Sequence, residues 1–265
     1  MRNRLIGSTL AVVALLVFSF FILAQTSQQP GVARARVPPS TADLTGVWRR
    51  SRRPPDNARR YTIFELAMSI TSAEPPMTPW AEAKFKANKP NIGPNAVPLA
   101  ETNDPVSNCS PPGVPRIYLQ RGEPVEIIQI PGRVIMLFEY DHFVRQIYTD
   151  GRQHPKDMAP TWMGDSIGKW EGDTLVVDTV GFNDKTWLDL VGHPHSDALD
   201  VVERVRRVNH DTLVIDITIT DPKAYTKPWG GRSTFELKPG WNLGEMVCED
   251  NVNFLDLQKK AESSK

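Results

Sequence analysis

Apolar and polar positions alternate along much of the chain from residue 125 onward. The clearest run is 213–220, where a leucine and three isoleucines occupy every second position. Residues i and i+2 point to the same face of a strand, so this spacing predicts a strand that is buried on one face. Turn-forming pairs such as Pro131-Gly132 separate the runs. The predicted hairpins join 125–130 to 134–140, 166–170 to 174–180, 201–208 to 212–220 and 233–237 to 243–248, and a further strand covers 142–149.

The part of the chain before residue 125 is less regular. We predict a first strand at 44–48 and a helix at 80–87, with Thr78 as the N-cap and Pro79 at the first helical position. A weaker amphipathic segment at 61–70 is a second candidate helix. The many prolines that follow the predicted helix indicate little regular structure up to residue 124.

These elements predict a mainly β protein with one or two short helices in an irregular N-terminal part. About nine or ten short strands joined by tight turns favour an antiparallel meander. Closing the meander into a barrel would hide both edge strands, and the interior of such a barrel can hold a small ligand. Helices do not alternate with the strands, which excludes a dinucleotide-binding βαβ fold.

The first 24 residues have the layout of an export signal. Two arginines precede an uncharged, mostly apolar run at 5–24, after which the chain becomes polar and proline-rich. The run is also long enough to cross a bilayer, so an uncleaved membrane anchor is the alternative. Both interpretations predict a periplasmic or secreted protein. The expected organisation is a signal peptide or anchor at 1–24, a linker at 25–42, an irregular part with the first strand at 43–124, the barrel core at 125–256 and a disordered tail at 257–265.

Charge and composition narrow the range of partners. The 265 residues include 31 basic and 31 acidic side chains, so the formal net charge is zero. A general nucleic-acid binder needs a basic face, so this balance argues against nucleic acid as a partner. No nicotinamide, flavin or nucleotide motif occurs, and we therefore predict a protein without a cofactor that takes a small molecule as ligand or substrate.

The two cysteines of the chain, Cys109 and Cys248, are far apart in sequence. In an oxidising compartment such a pair is a disulfide candidate, and a bridge across so long a loop would stabilise the domain by a few kcal/mol in the loop-entropy model. The alternative is two unrelated buried thiols. The sequence contains no CxxC, which disfavours a zinc site built on cysteine.

Two resemblances support the barrel. Asp43-Leu-Thr-Gly46-Val-Trp48 resembles the Gly-x-Trp signature of the lipocalin (calycin) superfamily. That resemblance implies a lipocalin-like barrel in which the tryptophan closes one end and an arginine stacks on it, although the sequence does not identify the arginine. Most of the mature chain is also similar to an uncharacterised family of exported bacterial proteins, which implies the fold but brings no activity. The stretches that carry this similarity are Pro76-Met-Thr-Pro-Trp80, Cys109-x-Pro-Pro-Gly113, Trp170-Glu-Gly-Asp-Thr-Leu-Val-Val-Asp178 and Asp221-Pro-x-x-Tyr225-Thr-x-Pro-Trp229.

Charged residues on the predicted strands are candidates for chemistry inside the barrel. His142 and Tyr148 share one face of the strand at 142–149, and Arg145 lies on the other face. On the strand at 201–208, Glu203 lies opposite Arg204 and Arg206. One face of each strand must point inward, so a buried carboxylate paired with an arginine or histidine could orient a ligand. His142, Tyr148 and Glu203 are the acid–base candidates, and Arg145, Arg204 and Arg206 are the ligand-binding candidates. The alternative is an outer face with cross-strand ion pairs.

Three further motifs are candidates for binding or catalysis. His193 and His195 flank a proline and could both face one metal ion, with Asp197 or Glu203 as a third ligand. Tyr225 and Trp229 lie between prolines and form either a ligand-stacking lid or a plug for one end of the barrel. Gly164-Asp-Ser166-Ile-Gly168 matches a nucleophile elbow, but a hairpin follows it where the elbow requires a helix.

Two functions are consistent with these patterns. The first is an exported, calycin-like binding protein with a partly apolar barrel cavity and a few polar anchors. The second is an enzyme on the same scaffold, which acts as a hydrolase, lyase or isomerase on a small organic or carbohydrate substrate. It would be either metal-assisted through the histidine pair or cofactor-independent through the acid–base candidates. The form of a fold does not decide between binding and catalysis.

Overall fold

The computed structural model describes residues 42–51, 69–71, 73–120 and 123–249, and its nine strands form one closed barrel. The strands are β1 (Gly46–Arg50), β2 (Val125–Ile130), β3 (Arg133–Phe138), β4 (Val144–Tyr148), β5 (Asp165–Glu171), β6 (Thr174–Val180), β7 (Asp200–Asn209), β8 (Thr212–Thr220) and β9 (Trp229–Leu237). Between β1 and β2 lie helix α1 (Pro79–Ala87) and three 3-10 helices, at Leu99–Glu101, Pro105–Asn108 and Arg116–Leu119. The prediction of a mainly β, calycin-like barrel is confirmed.

Several predicted segments lie outside the described residues. These are the signal peptide or anchor, the linker up to residue 41, the candidate helix over 61–68 and the C-terminal tail. Within the described part of the chain, none of the helices has both the length and the apolar character needed to cross a bilayer.

Each strand pairs with the next one along the chain, and β9 pairs with β1 to close the barrel. Trp48 lies opposite Leu237 in this closing ladder. All pairs are antiparallel except β4 and β5, which are parallel with Ile147 opposite Ser166. The sequence pattern predicted a purely antiparallel meander, and it is wrong at this one step. The long connection 149–164 carries the chain from one end of the barrel to the other, so β5 starts at the same end as β4.

The fourth predicted hairpin, 233–237 with 243–248, does not form. Strand β9 extends further toward the N-terminus than predicted, and its free side pairs with β1. The described residues 238–249 after it form no strand and touch the barrel through an isolated bridge between Tyr140 and Met246. The local turn at Pro239-Gly240 suggested a hairpin, but the non-local closure of the barrel took the edge that the second strand would have used.

The strands bury alternate residues, as the sequence pattern predicted. In β8 the four alternating apolar residues that begin at Leu213 are all buried. In β7 the predicted alternation points four residues toward the barrel interior. The inward-facing residues of β7 are Val201, Glu203, Val205 and Arg207. Two of these four are charged, so the interior of the barrel contains charged side chains as well as an apolar core.

The two ends of the barrel differ in construction. At the turn end, short turns at 131–132, 172–173 and 210–211 connect the strands. At the loop end, the strands are joined by the longer segments 181–199 and 221–228, and α1 packs beside them. The 3-10 helix Arg116–Leu119 precedes β2 at this same end. The loop end therefore carries most of the irregular backbone, where binding residues concentrate in scaffolds of this kind.

Segment 69–71 packs directly against the backbone of β9 at Gly231. A Cβ atom on Gly231 of β9 would lie 1.6 Å from the backbone oxygen of Ile70. Segment 69–71 can approach β9 so closely only because Gly231 has no side chain. This contact brings Ser69 to the loop end of the barrel.

Cys109 and Cys248 form a disulfide, as predicted, with Cα atoms 5.6 Å apart. The bond joins the segment of 3-10 helices to the segment that follows β9 and spans 139 residues of sequence. It therefore connects two irregular segments that the strand ladders do not hold together.

Candidate functional site

Trp48 occupies the turn end of the barrel. It is fully buried, and its indole Nε1 donates a hydrogen bond of 2.9 Å to the carbonyl of Leu44. The guanidinium of Arg207 lies 5.2 Å from the centroid of the tryptophan ring and donates to the carbonyls of Asp43 and His210. An arginine beside the buried tryptophan is the contact that the resemblance to lipocalins leads one to expect. Sequence analysis did not identify it because it lies more than 150 residues after the tryptophan.

A buried polar cluster fills the middle of the barrel. Arg145 of β4 donates to both carboxylate oxygens of Glu203 on β7. The same guanidinium donates to the hydroxyls of Tyr118, Thr179 and Ser166. The tyrosine enters from the 3-10 helix at the loop end and donates a hydrogen bond of 2.7 Å to Glu203. A guanidinium has five N–H donors, and the cluster provides five acceptor contacts for them.

The electrostatics of this cluster follow from its burial and its pairing. Burial alone would lower the pKa of Arg145, but the charge of Glu203 outweighs burial and the net effect is a raised pKa. Burial raises the pKa of Tyr118 well above its usual value. The arginine therefore stays charged and the phenol stays protonated. Because the donors of Arg145 are already committed to protein acceptors, we interpret the cluster as a structural core.

The three acid–base candidates are not brought together. Glu203 is fully buried inside the barrel. Tyr148 lies on the outer face, with the guanidinium groups of Arg133 and Arg152 at 5.1 and 3.6 Å from its ring. His142 is exposed, in the turn before β4 rather than on the strand. Its backbone φ of 54° breaks the extended conformation there.

Two of the predicted ligand-binding arginines point outward from β7. Arg204 pairs with Glu171 of β5 at 3.0 Å, and Arg206 lies 3.8 Å from Asp216 of β8. Both arginine side chains are more than two-fifths exposed. They therefore form the outer-face, cross-strand ion pairs that the sequence left open as the alternative, and such exposed pairs contribute little to stability.

Asp189 organises the loop 181–199. One carboxylate oxygen accepts hydrogen bonds from the backbone N–H groups of Val191, Gly192 and His193. The other accepts from the Ser69 hydroxyl at 2.8 Å and contacts the Nδ1 atom of His193 at 2.6 Å. Burial would raise the pKa of Asp189, but the histidine charge and these hydrogen bonds hold it below its usual value.

His193 plugs the loop end of the barrel. Burial alone would lower its pKa, but the carboxylate of Asp189 outweighs burial and raises the pKa to about 9. The imidazole stacks on Phe85 of α1 with ring centroids 4.8 Å apart and meets Trp229 edge-on at 5.8 Å. Tyr225 is also buried, and its hydroxyl donates to the carbonyl of Pro194 at 2.6 Å. Tyr225 is therefore packed and hydrogen-bonded at the loop end.

His195 lies two residues further on, in different surroundings. Its Nδ1 atom is 3.0 Å from the carbonyl of Ser196, and its ring meets Phe182 edge-on. A carbonyl can only accept, so Nδ1 carries the proton. Burial lowers the pKa of His195, which keeps the ring neutral and leaves a lone pair on Nε2. Asp221 holds the backbone of this segment by accepting from the Ser196 N–H and hydroxyl.

Two adjoining clefts open at the loop end. The larger has a volume of about 650 Å³ and the smaller about 260 Å³, and both are lined by Trp80, Asp184 and Lys185. The larger also includes Phe182, Ser196, Asp197 and Lys223. The smaller also includes Lys84, Asn88, Asn103, Trp187 and His195. Among the described residues, no strand residue lines either cleft, so these two clefts lie outside the barrel wall and not in the interior where the sequence pattern predicted the ligand.

The residues of the predicted metal site and of the nucleophile-elbow motif lie in positions that differ from those the motifs require. Within the described part of the chain, no group of three or more histidine, cysteine, aspartate or glutamate side chains is arranged to hold a metal ion. His193 and His195 have separate partners, and Glu203 lies in the barrel interior. Ser166 of the Gly-x-Ser-x-Gly motif is buried and bonded to Arg145 and Thr179. It lies on strand β5, not on an exposed strand-to-helix turn.

Fold and site together define a class: a closed, nine-stranded, calycin-like barrel with a filled interior and a double cleft on its loop end. Comparison with known proteins adds no closer assignment, since no protein-family model, curated protein or solved structure matches the chain.

Sequence reasoning missed most of the cleft. The sequence places Trp80 and Lys84 on the predicted helix, with Trp80 also in a family-like stretch, and it gives no signal for Asp184 or Lys185. A usable signal did exist in Trp80, because an exposed tryptophan on a short helix is an unusual surface residue. The other lining residues come from segments whose convergence depends on the tertiary fold.

Proposed function

We propose that the protein is an exported small-molecule-binding protein of calycin-like architecture, and that its ligand binds in the double cleft at the loop end. The observation that carries the proposal is the cleft itself, which combines aromatic walls with polar groups from several segments. Together the two parts fall in the size range of small-molecule sites in proteins, about 300–1,000 Å³. Trp80 lines both the larger part and the smaller part, and a buried histidine also lines the smaller part.

The state of the barrel interior supports this position for the ligand. The donors of Arg145 are committed to protein acceptors, and Tyr118 occupies the space that a ligand would need. Large side chains, including Trp48 and Met136, are fully buried there. Displacing such a satisfied cluster would leave charged groups unpaired at a cost of several kcal/mol. Binding at the loop end carries no such cost.

Export and family membership are part of the same proposal. The N-terminal apolar run and the disulfide both fit an oxidising compartment outside the cytoplasm. The stretches similar to the exported bacterial family include Trp80 and Asp221-Pro, which contribute to the cleft or support its wall. Detecting the processed mass of the chain in a periplasmic or secreted fraction would test this part of the proposal.

Ligand binding can be tested with two tryptophans of similar exposure. Trp80 in the cleft is 41% exposed and Trp241, outside it, is 45% exposed. We expect at least one compound of a metabolite library to raise the melting temperature of the wild type and of Trp241→Ala. The same compound should leave Trp80→Ala unchanged, because only Trp80 lines the cleft. Equal stabilisation of both variants, or no stabilising compound, would refute the proposal.

A cofactor-independent acid–base enzyme is the second candidate, and His195 is the observation that favours it. A neutral imidazole in a cleft wall, with one nitrogen that has no hydrogen-bond partner among the described residues, is a common form of general base. The test is to incubate each stabilising compound with the wild type and to follow it by NMR. A compound that is recovered unchanged identifies a binding protein, whereas conversion that His195→Asn abolishes identifies an enzyme.

A further inference from the structure

The smaller cleft has a defined hydrogen-bonding pattern, and this pattern specifies a ligand within the proposed function. His195 is 3% exposed and lines the cleft, and its Nδ1–H is used by the Ser196 carbonyl. That carbonyl cannot easily turn away, because Asp221 fixes both the N–H and the hydroxyl of Ser196. The position of Nδ1 is therefore fixed, and Nε2 is the acceptor that a ligand can use. A ligand for this nitrogen must bring a hydrogen-bond donor.

The charged groups of the smaller cleft favour an anion. Lys84 and Lys185 line it together with one carboxylate, Asp184, so that with a neutral His195 the formal charge of the lining is +1. Within the described part of the chain, neither ammonium group has a carboxylate partner within ion-pair distance. Lys223 of the larger cleft is instead neutralised by Asp197 at 2.5 Å. The positive charge is thus concentrated in the smaller part.

The walls of the smaller cleft favour a flat, apolar body. Trp80 and Trp187 both contribute to its surface. The Trp187 ring is backed by the guanidinium of Arg116 at 5.4 Å, and Arg116 is itself paired with the carboxylate of Asp104. This stacking holds the indole in place as a rigid wall. A volume of about 260 Å³ is below the range of drug-sized sites and suits a single ring.

We infer that the smaller cleft takes a single-ring aromatic carboxylate that carries a hydroxyl group. The ring lies against the tryptophans, the carboxylate faces the ammonium groups of Lys84 and Lys185, and the hydroxyl donates to Nε2 of His195. This assignment rests on the proposed function, because it names the chemical class of the ligand for one half of the same double cleft.

The test measures the binding of three matched compounds to the full chain by calorimetry at pH 7.5. The compounds are 4-hydroxybenzoate, benzoate, which lacks the donor, and 4-hydroxybenzamide, which lacks the charge. We expect 4-hydroxybenzoate to bind at least tenfold more tightly than either of the others. Equal affinity for the amide would overturn the anion assignment, and equal affinity for benzoate would overturn the role of the hydroxyl.

Two variants assign these preferences to residues. Asparagine at position 195 can keep the hydrogen bond to the Ser196 carbonyl but has no equivalent of Nε2, so His195→Asn should bind 4-hydroxybenzoate no better than benzoate. Lys185→Gln should lose most of the preference for the acid over the amide. Lys227→Gln, which changes an exposed lysine outside the clefts, is the matched control and should keep both preferences. If His195→Asn does not fold, the compound series and Lys185→Gln still decide the assignment.

The outcomes also separate this inference from the proposed function. If none of the three compounds binds but other molecules stabilise the protein in a Trp80-dependent way, the ligand class is wrong and the binding function stands. If the three compounds bind equally well and Trp80→Ala has no effect on them, both are wrong.

Discussion

Arg145 and Glu203 show how a buried charge pair can look like a catalytic site in the sequence and be a structural element in the fold. Glu203→Ala would leave the guanidinium of Arg145 without its carboxylate in the barrel interior. We expect this change to reduce the free energy of unfolding by about 3–5 kcal/mol, measured by urea denaturation, because an uncompensated buried charge is very unfavourable.

The matched control for Glu203→Ala removes both charges. The double variant Arg145→Met/Glu203→Leu eliminates the unpaired charge and should be less destabilised than Glu203→Ala alone. A loss in the double variant equal to the sum of the losses in Arg145→Met and Glu203→Leu alone would show that the residues do not interact as a pair.

The contact between His193 and Asp189 leads to a specific dependence of stability on pH. The pKa of His193 is raised to about 9 in the folded state from about 6.5 in the unfolded chain. The folded state therefore binds the proton more tightly, and the stabilisation is complete below pH 6.5 and lost as the pH rises through 9. We expect the melting temperature of the wild type to fall between pH 7 and 10. His193→Gln should be less stable than the wild type at pH 7, and its melting temperature should fall less between pH 7 and 10. His210→Gln, which changes an exposed histidine, should match the wild type.

At the scale of elements, helix α1 links the stability of the loop end to the shape of the cleft. The hydroxyl of Thr78 accepts from the Ala81 N–H at 3.3 Å and donates to the carbonyl of Lys223 at 2.9 Å. It thus caps the helix and ties it to the segment after β8. We expect Thr78→Ala to lose about 1 kcal/mol of unfolding free energy and to weaken the binding of any ligand that depends on Trp80.

Thr78→Ser is the control for the cap, because serine provides the same hydroxyl. It should retain both the stability and the ligand affinity. If Thr78→Ala lowers stability but leaves the affinity unchanged, the cap does not position Trp80.

The elements that the sequence predicted well are those whose partners are close together along the chain. Hairpins such as β5–β6 and β7–β8 follow from alternation on either side of a turn, and the N-cap at Thr78 follows from three adjacent residues. The parallel pairing of β4 with β5 and the closure of β9 onto β1 depend on distant segments, which periodicity does not encode. The predicted fourth hairpin does not form for the same reason, because β9 pairs with the distant β1 and not with the segment after the Pro239-Gly240 turn.

The same distinction between local patterns and contacts of distant segments applies to the candidate site. The strand parity of Glu203 is a local property, and it correctly placed this residue on the face opposite Arg204 and Arg206. The partnership of Glu203 with Arg145 required knowing which faces point inward. The cleft was beyond sequence reasoning because Trp80, Asp184 and His195 come from separate segments that meet only in the folded barrel.

For the whole molecule, the two ends of the barrel have separate roles. The turn end is closed by Trp48 and Arg207, and the interior is filled by a satisfied polar cluster. The loop end carries the irregular segments, the buried His193 plug and both clefts. A filled barrel can serve as a rigid platform for a site built on its loops, which is a common arrangement in proteins. The disulfide contributes to this platform because it connects two irregular segments that the strand ladders do not hold together.

The disulfide between Cys109 and Cys248 therefore predicts the response of the whole molecule to reduction. A crosslink that spans 139 residues removes much of the loop entropy of the unfolded chain, which corresponds to about 5 kcal/mol in the chain-entropy model. We expect dithiothreitol to lower the urea midpoint of the wild type to that of Cys109→Ser/Cys248→Ser, and to leave the midpoint of the double variant unchanged. A wild type that is insensitive to the reductant while its thiols become titratable would show that the crosslink does not stabilise the fold. If the reduced protein also loses ligand affinity, the covalent link between the two irregular segments supports the site as well as the barrel.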